Sequence, residues 1–309
     1  MKKVFIDGEA GTTGLRIAER LSNRDDIEII SLPDEKRKDI EARKEILNRA
    51  DFVFLCLPDD AAREAVSLIH NENVTIIDAS TAHRTNSEWA FGFPELDKDF
   101  EEKIINSRRI AVPGCHAGGF IALIYPLVKS GIISKDIFLT VHSITGYSGG
   151  GKKMIAEYTN EQKNILLSAP RQYGISQNHK HLPEMVKISG LKNAPIFCPI
   201  VSNFYSGMEV TVPLFAKDLL YGDINTIRDI YKNLYNENIV KYNEASDEEG
   251  FLSAHKLSGK DAMSIEVHGN KERILLVARY DNLGKGASGA AIECLNIKLG
   301  CSKAKTLEI

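Results

Sequence analysis

Long apolar runs and an excess of basic residues are both lacking in this sequence of 309 residues. No run approaches the ~20 apolar residues that a membrane-spanning helix requires, so we expect no membrane partner. The formal net charge of −3 predicts no nucleic-acid partner, because nucleic-acid-binding domains usually carry a clear basic excess. Near the N-terminus, Val4, Phe5 and Ile6 are followed at once by Asp7. This predicts a strand rather than the longer apolar core of a signal peptide.

Cysteine is scarce, with five residues and no closely spaced pair. An odd number of such cysteines argues against a disulfide framework and predicts a reducing compartment, hence a cytoplasmic protein. The sequence also lacks the CxxC and HExxH spacings, so we predict no metal site. The composition, with 43% hydrophobic and 26% charged residues, is typical of globular proteins, and the length suits two domains.

Short apolar runs alternate with helical segments through the first third of the chain. These runs cover residues 3–7, 27–32, 52–57, 74–79 and 109–112. Strands that are apolar almost throughout are typical of parallel strands covered on both faces. The pattern predicts an α/β fold, with a Rossmann-type doubly wound parallel sheet over residues 1–114. We expect a helix rich in small residues, 286–299, to return to this domain, which then comprises residues 1–114 with 286–309.

The pattern changes after residue 114. A helix at about 116–129 is followed by a predicted strand, Ile137–Thr145, and further on by two apolar runs, Met263–Val267 and Arg273–Tyr280. The His-Gly-Asn-Lys segment between those two runs indicates a β-hairpin, and therefore antiparallel pairing. We predict a mixed α+β domain over residues 115–285.

Three glycines, Gly8, Gly11 and Gly14, follow the first predicted strand in a GxxGxxG spacing that also includes Thr12 and Thr13. A turn without side chains lets the backbone approach the pyrophosphate of a dinucleotide, which then lies at a helix N-terminus. A plain glycine turn is the alternative. The position between strand and helix favours a dinucleotide site.

The end of the second predicted strand favours NADP(H) over NAD(H). NAD-binding proteins usually place an acidic residue there for the ribose 2′-hydroxyl. This chain has Ser31, with Arg37 in the following loop, and a hydroxyl with a cation suits a 2′-phosphate. Asp34 and Glu35 lie in the same loop, so a solvated turn is the alternative.

Cys115 follows a Pro-Gly turn and directly precedes an apolar-periodic helix. At a helix N-terminus, unpaired N–H groups and the helix dipole stabilise a thiolate, and they can also stabilise an oxyanion. A small buried hydrophobe is the usual role of a cysteine. The position of Cys115 predicts a nucleophile instead, whereas Cys56 lies within a predicted strand and Cys294 within a helix.

A nucleophilic cysteine usually needs a base, and His179, His181 and Glu184 lie within six residues of one another. In an extended segment the two imidazoles point the same way, and Glu184 can orient one of them. A polar surface loop and an adventitious metal pair are the alternatives. A non-catalytic NADP-binding sensor would have no need of a cysteine at a helix start together with a histidine pair.

The segment Gly146–Lys152 reads Gly-Tyr-Ser-Gly-Gly-Gly-Lys between a predicted strand and a helix. It fits the first seven positions of a P-loop, so a P-loop-like ATP-binding protein is an alternative function. The eighth position is Lys153, however, where a Ser or Thr is needed for magnesium. We favour a cradle for a substrate phosphate, built by backbone N–H groups around Ser148 and Gly149 with Lys152.

Six short segments in order resemble those of N-acetyl-gamma-glutamyl-phosphate reductases, an arginine-biosynthesis family, and particularly its shorter type 2 form. The resemblance covers nearly the whole chain. The matching segments are residues 6–14, Asp78-Ala-Ser-Thr-Ala-His-Arg84, Pro113-Gly-Cys115, residues 145–152, Lys180-His-Leu-Pro-Glu184 and residues 281–290.

The resemblance implies a small-molecule acyl-phosphate substrate, N-acetyl-L-glutamate 5-phosphate, which NADPH reduces to the 5-semialdehyde through a Cys115 thioester. It favours His181 over His179 as the acid–base group, with Asn282 near the nicotinamide and Arg84 on a substrate carboxylate or phosphate. It also implies a homodimer or homotetramer built through the second domain, so that residues 115–285 have both catalytic and oligomerisation roles. Aspartate-semialdehyde dehydrogenase, which uses the same chemistry, is an alternative. One departure follows the nucleophile, where His116-Ala117 replaces an expected Tyr-Pro-like pair.

Overall fold

A computed structural model describes residues 1–244 and 246–309 of the chain. These residues form two compact units. Unit 1 comprises Met1–Pro94, Lys98–Pro113 and Ala287–Leu307, and unit 2 comprises Glu95–Asp97, Gly114–Gly286 and Glu308–Ile309.

The helices and strands of the described residues follow one another in this order. The first part of the chain contains β1 (Lys2–Asp7), α1 (Thr12–Leu21), β2 (Ile27–Ile30), α2 (Ile40–Arg49), β3 (Phe52–Leu55), α3 (Asp59–Leu68), β4 (Thr75–Asp78), β5 (Ala90–Phe91), α4 (Lys98–Asn106), β6 (Arg109–Ala111) and α5 (Cys115–Lys129). The remainder contains β7 (Thr140–Gly146), α6 (Gly151–Thr159), β8 (Arg171–Gln172), α7 (Leu182–Ser189), β9 (Ile196–Ser202), β10 (Met208–Phe215), α8 (Ile224–Leu234), β11 (Val240–Tyr242), β12 (Met263–Gly269), β13 (Arg273–Tyr280) and α9 (Gly289–Lys298).

Unit 1 is built on a sheet in the order β2-β1-β3-β4-β6-β5, in which every neighbouring pair is parallel. The central strands β3 and β4 are buried along their whole length. Two apolar clusters pack against the sheet, one including Val4 and Phe54 and the other including Phe5 and Val53. Because neighbouring strand residues point to opposite faces, both faces are covered, as the apolar runs predicted.

The helix α9 completes the core of unit 1. Ala290, Ala291 and Leu295 belong to the same apolar cluster as Val4 and Phe54. Small side chains let a helix approach a sheet closely. Their effect shows at Gly92, where an added Cβ would lie 2.9 Å from the Cys294 sulfur.

Unit 2 is built on a mixed sheet in the order β11-β12-β13-β10-β7-β9-β8. The strands β12 and β13 pair antiparallel from Met263↔Tyr280 to Gly269↔Ile274, which confirms the predicted hairpin. The pair β7 and β9 is parallel, whereas β10 is antiparallel to both β7 and β13. The predicted α/β fold with a second α+β domain is confirmed by these two sheets.

The helix α5 packs against β10 and β13 of this mixed sheet. On β10, Met208, Val210 and Val212 are buried and alternate with the more exposed Glu209 and Thr211. This period of two is typical of a sheet with one covered and one open face. The first residue of the covering helix is Cys115, so the packing of α5 fixes where the thiol lies in unit 2.

Candidate active site

In unit 1, the turn between β1 and α1 requires glycine at two of the predicted positions. Gly8 has φ +89°, and an added Cβ would lie 2.4 Å from the Cys56 carbonyl oxygen. At Gly14 an added Cβ would lie 2.4 Å from the Gly8 carbonyl oxygen. Both distances are far inside van der Waals contact. The glycines therefore let the start of α1 approach the ends of β1 and β3.

The start of α1 suits an anion. Gly11 is the N-cap residue and no side chain caps the helix, while Thr12 and Thr13 form the first turn. The first N–H groups of a helix have no partner within it and attract negative charge. This loop therefore fits the pyrophosphate of a dinucleotide.

A pocket of unit 1 lies beside this loop and is lined by Gly8, Leu32, Arg37 and Leu57, among others. The guanidinium of Arg37 lies 2.9 Å from a carboxylate oxygen of Asp34. Ser31 is exposed at the end of β2. A hydroxyl and a guanidinium at this edge fit the 2′-phosphate of NADP(H). Asp34 would compete with that phosphate for the Arg37 guanidinium.

In unit 2, Cys115 is the first residue of α5, with Gly114 as N-cap. The backbone N–H of Gly118 donates to the Gly114 carbonyl at 2.8 Å, which closes the first turn. The backbone N–H of Gly114 donates to Glu184 at 3.1 Å. A helix-start position for Cys115, as predicted from the Pro-Gly turn, is confirmed.

The second histidine of the predicted pair, His181, is the N-cap residue of α7 and is buried. Its Nε2 lies 4.0 Å from a carboxylate oxygen of Glu184, which is also buried. The Nδ1 of His179 accepts the backbone N–H of His181 at 3.2 Å. Burial, with a contribution from Lys180, lowers the pKa of His179. The three predicted residues therefore lie together, and Glu184 also contacts the residue before Cys115.

A third imidazole, that of His116, joins this group. Its ring centroid lies 5.6 Å from that of His181 and 5.9 Å from that of His179. Its Nδ1 is 2.6 Å from the Ser143 hydroxyl and its Nε2 is 2.6 Å from the Tyr173 hydroxyl. Burial, with a contribution from His179, lowers the pKa of His116 to about 3, so the ring is neutral.

The sequence predicted no role for His116 or for Tyr173. The departure from a Tyr-Pro-like pair was the one signal for His116. For Tyr173 the sequence carried none, because the contact joins residues 57 apart in the chain.

The predicted phosphate cradle has fewer available N–H groups than expected. The N–H groups of Gly146, Tyr147 and Ser148 donate to the carbonyls of Gly207, Phe204 and Tyr205. The N–H of Gly151 donates to the Ser148 carbonyl. These groups are already bonded within unit 2, and a cradle for a substrate phosphate at this loop stays a prediction. The side chain of Lys152 is exposed.

Asn282 lies behind this loop. Its Nδ2 donates to the Ser148 hydroxyl at 2.9 Å, and its Oδ1 accepts the backbone N–H of Gly207 at 3.0 Å. An added Cβ at Gly149 would lie 3.5 Å from the same Nδ2. Asn282 therefore holds the loop in place, and its position near a nicotinamide stays a prediction.

Arg84 lies in unit 1 and is buried. Its Nε donates to the Val112 carbonyl and its Nη2 to the Ala79 carbonyl, both at 2.9 Å. These bonds tie together the chain beyond β4 and β6. Binding of a substrate carboxylate or phosphate by Arg84 stays a prediction.

The described residues contain neither a metal-binding cluster nor a membrane-spanning helix. No group of three or more His, Cys, Asp or Glu side chains is arranged to hold a metal ion among them. Within the same part of the chain, no helix has both the length and the apolar character needed to span a bilayer.

Two family models match the chain. Residues 3–104 match the NAD-binding domain of semialdehyde dehydrogenases. Residues 115–282 match the dimerisation domain of semialdehyde dehydrogenases, which supports a homo-oligomer.

Among solved structures, aspartate semialdehyde dehydrogenase II of Vibrio cholerae, complexed with ASA, has a TM-score of 0.73 at 15% identity, covering 97% of this chain and 98% of that one. The aspartate semialdehyde dehydrogenase of Candida albicans, solved with NADP, has a TM-score of 0.66 at 12% identity, covering 96% and 98%. At these identities the likeness concerns the fold.

Curated relatives are much closer in sequence. The N-acetyl-gamma-glutamyl-phosphate reductase of Trichormus variabilis is 44% identical over 311 residues, covering 96% of this chain and 97% of the relative. That of Rhizobium meliloti is 44% identical over 305 residues, covering 96% and 98%. The chain therefore belongs to the semialdehyde dehydrogenase family and, within it, to the N-acetyl-gamma-glutamyl-phosphate reductases.

Proposed function

We propose that the chain reduces N-acetyl-L-glutamate 5-phosphate to N-acetyl-L-glutamate 5-semialdehyde and phosphate, with NADPH as reductant and Cys115 as nucleophile. The observation that carries the proposal is the grouping in unit 2 of a helix-start cysteine with buried imidazoles and a buried carboxylate. The names of the 44%-identical relatives supply the acyl group.

The thiolate of Cys115 attacks the acyl carbon, and the bond from that carbon to the phosphate oxygen breaks to release inorganic phosphate. A thioester remains on Cys115. NADPH, when bound, supplies the hydride that converts the thioester carbon into a tetrahedral centre. Collapse of that centre breaks the carbon–sulfur bond, which frees the aldehyde and returns the electron pair to sulfur. The N–H groups at the start of α5 stabilise both the thiolate and the oxyanion.

We assign the acid–base role to His181. This imidazole takes the thiol proton before attack and returns it to sulfur when the aldehyde leaves. Glu184 lies within 4.0 Å of the ring and orients it. His179 is the second candidate, and its hydrogen bond to the backbone N–H of His181 suits a supporting role.

The residues of unit 1 would hold the dinucleotide. Gly8, Gly11 and Gly14, with Thr12 and Thr13, receive the pyrophosphate at the start of α1. Ser31 and Arg37 bind the 2′-phosphate, which gives the preference for NADPH, and we assign Asn282 to the nicotinamide. Residues 1–114 with 286–309 then form the NADP-binding domain, and residues 115–285 form the catalytic and oligomerisation domain.

For the substrate, we assign Arg84 to a carboxylate or phosphate, and Ser148, Gly149 and Lys152 to the phosphate. Lys152 is the main phosphate-binding residue of this loop, because several backbone N–H groups of the loop already bond within unit 2.

We propose a homodimer or homotetramer formed through unit 2. The open face of its sheet, with Glu209, Thr211 and the exposed Phe215 on β10, is the surface available for it. We also propose a cytoplasmic location, because cysteines outside disulfides are typical of reducing compartments.

The reverse reaction tests the whole proposal. The purified chain is given N-acetylglutamate semialdehyde, phosphate and NADP, and NADPH is followed by its absorbance. We expect turnover that Cys115→Ser abolishes and that Cys198→Ser, a matched change at a half-buried cysteine of β9, leaves intact. No turnover, or full turnover in Cys115→Ser, would overturn the proposal.

Two further arms of this assay separate the alternatives. Aspartate semialdehyde in place of the acetylglutamyl compound tests the aspartate-specific enzyme, and we expect little turnover with it. ATP and NADP are compared as stabilisers in thermal unfolding, since a ligand that binds only the folded chain raises its melting temperature. We expect stabilisation by NADP and none by ATP. The strand β7 lies in a mixed sheet, and several backbone N–H groups of the loop after it are already bonded, so they are not available to ATP phosphates.

A further inference from the structure

The tyrosine that ends β13, Tyr280, reaches the first turn of α5. Its hydroxyl accepts the backbone N–H of Gly119 at 3.0 Å. The same hydroxyl donates to the backbone carbonyl of Cys115. Tyr280 is buried, and the bond from Gly119 is buried with it.

The geometry of these bonds is specific. Residues 115 and 119 are the i and i+4 positions that an ordinary helix joins by one backbone hydrogen bond. The Tyr280 hydroxyl contacts both of these backbone groups, so it ties the first turn of α5 to the end of β13. The affected turn is the one that carries the nucleophile.

Gly119 has no room for a side chain because Tyr280 occupies its place. An added Cβ at residue 119 would lie 2.6 Å from the Tyr280 hydroxyl oxygen. Residue 119 must therefore be glycine for the Tyr280 phenol to fit beside it.

The same segment contacts Cys115 a second time. An added Cβ at Gly286 would lie 3.1 Å from the Cβ of Cys115. Tyr280 thus holds the backbone carbonyl of Cys115, while the bare backbone of Gly286 lies against its side chain. Together, Tyr280 and Gly286 restrict the backbone and the side chain of Cys115.

We infer that Tyr280 is a positioning residue for the nucleophile, which sets the first turn of α5 and thereby the direction of the Cys115 thiol. Gly286 limits the same side chain from the other side. Without the phenolic hydroxyl, the first turn of α5 is no longer held against β13, and the thiol moves relative to the acyl carbon. This inference rests on the proposed role of Cys115.

A matched pair of variants separates positioning from ordinary stabilisation. Tyr235 is also buried, and its hydroxyl donates to the Ala122 carbonyl of α5 at 2.7 Å, seven residues beyond Cys115. Tyr280→Phe and Tyr235→Phe each remove one buried phenolic hydroxyl that bonds to the backbone of the same helix. We expect similar losses of melting temperature in the two variants.

Their effects on the thiol differ. Alkylation of Cys115 by iodoacetamide is followed over a range of pH, by mass spectrometry of the peptide that contains it. We expect Tyr280→Phe to slow this alkylation and to lower kcat by roughly tenfold or more, since small misplacements of reacting groups are costly. KM is expected to stay within about twofold of the parent value, since an effect confined to the chemical step leaves binding unchanged. Tyr235→Phe keeps the parent alkylation profile and kcat.

A second variant tests the same inference if Tyr280→Phe fails to fold. Gly286→Ala adds a methyl group beside the Cβ of Cys115, and we expect it to slow alkylation as well. Alkylation at the parent rate in both Tyr280→Phe and Gly286→Ala would overturn the inference. Failure of the proposed function is recognised separately, by full turnover in Cys115→Ser.

Discussion

Among single residues, the roles of the two histidines beside Cys115 can be separated by one comparison. Among the contacts described above, Glu184 lies near a ring nitrogen of His181. His179 instead accepts a hydrogen bond from the backbone N–H of His181. We expect His181→Asn to lower kcat by about a hundredfold or more, because general acid–base catalysis contributes roughly 10²–10⁴-fold. His179→Asn is expected to lower it less.

The measurement is kcat of the reverse reaction across pH for both variants and the parent. In His181→Asn the pH dependence assigned to the acid–base group disappears, whereas His179→Asn keeps it. A larger loss in His179→Asn would exchange the two assignments.

In the turn between β1 and α1, a glycine can be required for its conformation or for the space it leaves. Gly8 and Gly131 both have positive φ, +89° and +76°, but an added Cβ at Gly131 meets nothing within 4 Å. Gly8→Ala and Gly131→Ala therefore share the conformational cost of about 1 kcal/mol, and only Gly8→Ala adds a clash.

We expect Gly8→Ala to weaken NADPH binding by at least about tenfold, because the loop must move away from the Cys56 carbonyl and then no longer fits the pyrophosphate. Gly131→Ala is expected to bind NADPH as the parent does. Fluorescence titration with NADPH measures both dissociation constants. Equal affinities in the two variants would show that this loop does not hold the dinucleotide.

Elements with strong apolar patterns were predicted well, and weakly patterned ones were missed. The central strands and α5 are apolar almost throughout, and so are visible in the sequence. The helix α4 buries only Ile104, and β5 has two residues, so neither makes a periodic pattern. The contacts of His116 with Tyr173 and of Tyr280 with Cys115 join distant parts of the chain, and tertiary packing alone creates them.

For the whole molecule, the buried His116 links stability to pH. Its pKa is about 3 when folded and about 6.5 in an unfolded chain. Below about pH 6.5 the unfolded chain therefore binds a proton that the folded chain does not. The stability that the neutral ring contributes is present above that pH and is lost as pH falls toward 3, by up to about 1.4 kcal/mol per pH unit.

Urea unfolding between pH 7.5 and 5 measures this slope. We expect His116→Gln to reduce the slope of unfolding free energy against pH by the contribution of about one proton, because glutamine does not titrate. His70→Gln removes a histidine at an exposed position and is expected to leave the slope nearly unchanged. An unaltered slope in His116→Gln would contradict the buried, neutral state of the ring.

The position of α9 has a consequence for how the protein is made on the ribosome. Ala290, Ala291 and Leu295 complete a core whose other members come mainly from α1, α4 and the six strands of the parallel sheet. All of those strands are synthesised long before α9. A nascent chain that has emerged only as far as unit 2 therefore leaves exposed the apolar residues of unit 1 that α9 covers. The part of the protein that is translated first is the part that finishes folding last.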